Sequence, residues 1–151
     1  MTIVNAYLKM WPREVLDLRS GNQLLSEVWT LLHRPGVYVL YRDDRPHYIG
    51  RASKKLSSRI HSHANRPKDK YYNFWNYFSA FVVNDPKHIP EVEGILIAAF
   101  PTENSAQPRF PKLAIPARVA RLIHSQRLIT VSPIGTDRNF AKTNIAPDTA
   151  R

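Results

Sequence analysis

Cysteine is absent from the 151 residues. That excludes a disulfide framework, a thiolate-bound zinc and a cysteine nucleophile, and it agrees with a reducing compartment. Long apolar runs are missing too: none approaches the roughly 20 residues a membrane helix needs. The opening "MTIVNAYLKMWPREVLD" has no basic start and no apolar centre, so no signal peptide is expected and the location expected is cytoplasmic. There is no internal repeat and no low-complexity tract. Acidic residues are few, 12 against 22 Lys and Arg, for a net charge of +10.

What is present is an ordinary folding composition, 43% hydrophobic, in a length that suits one domain with its own core. The basic excess fits a polyanionic partner. It is unevenly spread. Residues 1–34 hold four basic and three acidic side chains, residues 35–104 ten and seven, and residues 105–151 eight and two. The last third is therefore the most basic, and the middle third holds most of the carboxylates.

The pattern predicts alternating elements. Leucines and Val28 at helical spacing place a helix at about residues 21–33, ending at Pro35-Gly36. "GVYVLYR", a polar "RDDRP" turn and "HYIG" read as a hairpin. A helix capped by Ser53 follows through "KKLSSRIHSHA", then a third strand in "WNYFSAFVV". Pro90 suits the first turn of a helix through "EVEGILIAAF". A last helix is expected in "ARVARLIHSQRL", followed by an extended or disordered tail. The fold class expected is α+β: a small three-stranded antiparallel sheet flanked by helices. The expected divisions are an N-terminal helical extension at 1–34, a core at 35–105 and a basic extension at 106–151.

The hairpin carries two tyrosines, Tyr38 and Tyr48, at positions able to share one face. Alone, such a pair packs a sheet as readily as it does chemistry. Polar partners follow in order. Arg59 and His63, four apart, share a helix face, and an arginine fork suits a phosphate. His61 points elsewhere. Glu93 lies early in an apolar helix, where one carboxylate can serve a cation that keeps most of its waters; Glu91, next to Pro90, better fits a helix-dipole role. "KYYNFWNYF", residues 70–78, offers rings either for base stacking or for core packing, with Tyr71 and Tyr72 expected to be the exposed ones.

Taken together, Gly36-Val37-Tyr38, Tyr48-Ile49-Gly50, Arg59, Glu93 and Asn104 resemble the GIY-YIG nuclease domain over roughly residues 35–105. The resemblance implies a divalent-metal-dependent endonuclease that hydrolyses phosphodiester bonds. Its partner would be nucleic acid, DNA in preference to RNA, and its location nucleoid-associated if the source is bacterial. The implied catalytic residues are Tyr38, Tyr48, Arg59, His63 and Glu93, with Glu93 holding Mg²⁺ or Mn²⁺. Arg51, Lys54, Lys55 and Asn104 would contact substrate. Tyr38, its pKa lowered by nearby cations, would act as general base. Arg51 stands where several members carry lysine, and a guanidinium stays protonated, so a lysine-type relay is not available here. The alternative is a domain of the same fold that binds nucleic acid without cutting it.

Overall fold

A computed structural model describes residues 2–17, 19–20, 23–24, 26–108, 110–125 and 145–146. The chain forms two compact units, residues 1–110 and 111–151.

The first unit is built on a four-stranded antiparallel sheet. Its strands are β1 (Val4–Pro12), β2 (Gly36–Arg42), β3 (Arg45–Ala52) and β4 (Tyr77–Val83), in the order β1-β4-β2-β3. Helix α1 spans Ser26–Leu31, α2 Leu56–Asn65 and α3 Ile89–Ala99. The class is α+β, as expected from the sequence. The sheet has one strand more than expected, however, and residues 1–34 are not a helical extension. β1 pairs along β4 from Val4↔Val83 to Pro12↔Tyr77, so the expected boundary at residue 34 divides nothing. β1 is irregular, which hides its period of two. The register shifts between Leu8 and Trp11, and Met10 adopts φ 54°. Its amide leaves the ladder and donates to Ser79 Oγ at 3.1 Å. Rings hold the strand in place: Tyr7 stacks on Phe81, and Trp11 meets Phe78 edge-on.

β2 is an inner strand covered on both faces, so "GVYVL" is apolar at every position. Alternation sends Tyr38 and Leu40 to one side, where they pack with Leu56, Ile60 and Ala64 of α2. Val37 and Val39 face the other side, with Ile49, Val83 and Ile89, against Val92 and Leu96 of α3. The result is three layers, α2, sheet and α3. Each aliphatic side chain fully buried in them stabilises the fold by about 1.5–3 kcal/mol. Gly36 is required where β2 passes β4: a Cβ there would collide with the Phe81 carbonyl.

The β2–β3 turn at Asp43-Asp44 is pinned from outside the hairpin. Asp43, at φ 56°, donates its amide to Asn76 Oδ1 at 2.7 Å and accepts from Asn76 Nδ2 at 2.9 Å. α2 begins at Leu56 after Lys55, with no side-chain cap, so the cap expected from Ser53 does not form. A 3₁₀ turn at Pro86–His88, capped by Asp85, leads into α3, with Pro90 in its first turn.

In the second unit α4 covers Ala117–Ser125, and Ile115–Pro116 pairs in parallel with Ile145–Ala146. Arg127, Arg138, Lys142 and Arg151 of the expected basic extension lie outside the described residues.

Candidate active site

The site lies over β3, an edge strand, on the α2 side of the sheet. Tyr38 on β2 is opposite Gly50 on β3. A Cβ at position 50 would collide with the Tyr38 hydroxyl and ring, so the glycine makes the space in which the ring lies. Tyr48, two residues earlier on β3, brings its ring centroid to 6.2 Å from that of Tyr38. α2 supplies His63, which is 4% exposed. Its Nε2 is 2.7 Å from the Tyr38 oxygen, and its Nδ1 is 2.8 Å from Asp69 Oδ1. Tyr71, just beyond, donates its amide to the same Asp69 oxygen at 2.9 Å and stacks on Tyr48 with centroids 4.1 Å apart.

Arg59 is exposed on α2, one turn before His63. Its charge lowers the pKa of both tyrosines, and its nearness to the Tyr38 hydroxyl lowers that one further. Burial outweighs that help. It pushes the Tyr38 phenol well above the ordinary tyrosine range, with the Tyr48 oxygen adding to the shift. Burial raises Tyr48 as well, followed by the neighbouring Tyr71. The expected lowering of the Tyr38 pKa is therefore corrected. In a fully buried phenol, desolvation of the anion dominates over an arginine that solvent partly screens.

Glu93 comes from α3, on the opposite side of the sheet. Its carboxylate is 3.3 Å from the Arg51 guanidinium, with Arg51 the more exposed partner. Arg51 is opposite Val37 in register and so shares the α3 side. Because β3 is the last strand, both sides meet at its rim, where the Glu93 charge reaches Tyr48 and contributes to raising its pKa. Among the described residues no group of three or more His, Asp and Glu is placed to hold a metal. A single half-buried carboxylate beside an exposed arginine nonetheless suits Mg²⁺, which needs only one or two carboxylates with waters and phosphate oxygens.

Asn104, expected to contact substrate, lies along β3. Its amide spans the free edge of β3, accepting from the Ile49 amide at 2.9 Å and donating to the Ile49 carbonyl at 2.7 Å. Glu103 extends this contact by donating its amide to the His47 carbonyl at 2.9 Å. Both hydrogen-bonding ends of the Asn104 side chain are engaged with the backbone next to Tyr48, so it clamps the strand. Lys54 and Lys55 are exposed in the β3–α2 turn, and among the described residues neither forms a salt bridge.

His61 turns away onto Trp29, with centroids 5.0 Å apart. The aromatic run 70–78 divides. Trp75 and Phe78 are core. Tyr71 and Tyr72, expected to be exposed, are half-buried, one under Tyr48 and the other under Arg13. Phe74 is the more open ring, 4.1 Å from the His47 ring and covered by Arg42. Asp69 is the residue that sequence reasoning missed. The available signal was the interval of six from His63 to an aspartate in a proline-containing turn.

No family model and no curated protein matches the chain. Among solved structures it is similar to the GIY-YIG N-terminal endonuclease domain of UvrC from Thermotoga maritima bound to its catalytic divalent cation, magnesium. The identity is 30% over 45% of this chain and 79% of that one, with a TM-score of 0.41. A point mutant of that domain, also bound to its catalytic divalent cation, is 27% identical over 50% and 86% of the two chains, with a TM-score of 0.44. Within this chain itself, Gly36-Val37-Tyr38 runs antiparallel to Tyr48-Ile49-Gly50 on one hairpin, with the Arg59 helix packed across it and the Glu93 helix behind. The fold is GIY-YIG nuclease-like. In GIY-YIG terms the hairpin glycines now have physical roles: Gly36 admits the neighbouring strand and Gly50 admits the first tyrosine. The histidine on the helix is the one hydrogen-bonded to that tyrosine.

Proposed function

We propose that the chain is a divalent-metal-dependent endonuclease acting on nucleic acid, DNA in preference to RNA. The observation that carries this reading is the Tyr38–His63 hydrogen bond, a buried phenol with a proton acceptor behind it, set beside Arg59 and Tyr48. Packing alone would not require a polar pair in the core. A buried hydroxyl and a buried imidazole joined to a carboxylate are costly to assemble and suit proton transfer.

Arg59, exposed beside the tyrosines, draws and holds the scissile phosphate. Tyr38 then takes a proton from the attacking water while its own proton passes to His63 Nε2. The tyrosinate therefore never has to exist free in a buried site. The sequence expectation instead had nearby cations lower the Tyr38 pKa, with His63 assisting. Tyr48, whose ring lies beside that of Tyr38, orients the water. The new P–O bond forms as the bond to the 3′ oxygen breaks; that oxygen takes a proton from solvent water, leaving a 5′-phosphate and a 3′-hydroxyl. Glu93 is the residue that would hold Mg²⁺ or Mn²⁺, which when bound neutralises charge on the phosphate and on the departing oxygen. Arg51 pairs with the carboxylate in its absence.

Nicking of supercoiled plasmid that requires Mg²⁺ and is lost in Glu93→Gln supports this reading. A specific observation favours a second one. The Arg51–Glu93 pair occupies the carboxylate, as it would in a non-cleaving nucleic-acid-binding domain. Metal-independent binding with no cutting by the wild-type protein would establish that second reading instead.

A further inference from the structure

His63 is useful to Tyr38 only in one of its two neutral forms. Its Nε2 faces the tyrosine oxygen at 2.7 Å. If that nitrogen carried the proton, imidazole would donate to Tyr38, and nothing could receive the phenol's hydrogen. The tautomer of a histidine is set by the bond made at its other nitrogen. Here that partner is Asp69, whose Oδ1 is 2.8 Å from Nδ1. A carboxylate is acceptor-only when ionised, so Nδ1 must be the nitrogen that bears hydrogen.

Asp69 is itself held in place. Its Oδ1 accepts from the Tyr71 amide at 2.9 Å, its amide donates to the Arg66 carbonyl at 2.9 Å, and its carbonyl accepts from the Tyr72 amide at 3.0 Å. The turn from Arg66 to Tyr72 thus delivers a fixed carboxylate to the back of the imidazole. His63 is 5% exposed at its side chain and Asp69 19%, so little water competes for the contact. The Tyr48 and Tyr71 rings enclose the imidazole on the other sides, and neither is hydrogen-bonded to it among the described contacts.

We infer that Asp69 is a positioning residue of the site: it holds His63 in the Nδ1–H tautomer, leaving Nε2 as the acceptor for the Tyr38 proton, and it stabilises the imidazolium once that proton has moved. Asp69, His63 and Tyr38 then form an ordered carboxylate–imidazole–hydroxyl series, the arrangement that elsewhere activates a serine hydroxyl. This inference deepens the nuclease reading and rests on it for the proton's purpose, but the tautomer is measurable without substrate.

The test is nitrogen-15 NMR of the full chain, with His63 assigned through His63→Gln. In wild type at neutral pH, His63 should show a protonated Nδ1 and a bare Nε2. Asp69→Ala, which removes the acceptor from Nδ1, should raise the Nε2–H form. It should also lower kcat on plasmid by at least about tenfold with KM unchanged, whereas Asp69→Glu restores part of the rate. A wild-type His63 protonated at Nε2 overturns the inference whatever the activity, as does an Asp69→Ala protein with wild-type kcat and an unchanged tautomer. A wild-type protein that never cuts while showing the Nδ1–H form refutes the nuclease reading and leaves the positioning assignment standing.

Discussion

The Tyr38 hydroxyl and His63 Nε2 are 2.7 Å apart in the core, one contributed by a strand and the other by the helix packed on it. Helix and sheet are therefore joined at this point by a hydrogen bond and not by apolar contact alone. Tyr38→Phe removes the hydroxyl and leaves His63 without its partner, at a cost of about 1–3 kcal/mol. The expected result is a melting temperature lower by several degrees and a cleavage rate lower by at least about a hundredfold, since general-base catalysis contributes about 10²–10⁴-fold. Unchanged cleavage of plasmid by this variant would remove Tyr38 from the chemistry.

Glu93→Gln keeps the shape of the side chain and deletes its charge. Metal-dependent cleavage should disappear while DNA binding, measured by gel shift, is retained or strengthened as Arg51 is released. Glu91→Gln is the control: Glu91 is exposed in the first turn of α3 and should cut at the wild-type rate. The reverse pattern would shift the metal ligand by two positions.

Gly50→Ala places a methyl group against the Tyr38 ring. Overpacking of this kind costs about 1–3 kcal/mol. Because the displaced ring carries the reactive hydroxyl, activity should fall further than the melting temperature alone would predict at an assay temperature well below it. Thermal melts and nicking rates measured on one preparation decide this.

Stability should narrow at both ends of the pH scale. Burial would raise the Asp69 carboxyl, but the hydrogen bonds from His63 and the Tyr71 amide, with the nearby positive charges, outweigh it and hold it below the usual range. Its folded form thus binds a proton less readily than the unfolded chain. The stability it contributes is complete above about pH 4 and is lost as pH falls through the folded pKa. Tyr38 behaves in the opposite sense. Its raised pKa gives stability that is complete below about pH 10 and is lost as pH rises beyond that. In melts across pH, Asp69→Asn should flatten the acid limb and Tyr38→Phe the alkaline one. For the same reason the cleavage rate should show no step near pH 10 from free ionisation of Tyr38.

Much of this was legible before the structure. The hairpin followed from strand formers around "RDDRP", and the Glu93 helix from Pro90 and the apolar run behind it. The pairing of Arg59 with His63 on one helix came from their interval of four. The missing parts depended on distant partners. β1 is an edge strand with a bulge, and its pairing is decided by Ser79 and Phe81, some seventy residues away. The backbone clamp of Asn104 was not legible, because the local sequence does not report which distant backbone an amide meets. The state of Tyr38 depended on its burial, which the local sequence does not report.

The Asn104 clamp also has a consequence for the order in which the site can be assembled. It joins Ile49 to a residue 55 positions later. A chain emerging in order would have the hairpin, the Arg59 helix and the Glu93 helix available while the outer edge of the tyrosine strand was still open. Only when residue 104 arrives does that edge gain its last partner. Closure of this edge is therefore a late, long-range event for a chain emerging in order, and a chain interrupted shortly before Asn104 would present Tyr48 on a strand whose outer edge lacks this clamp.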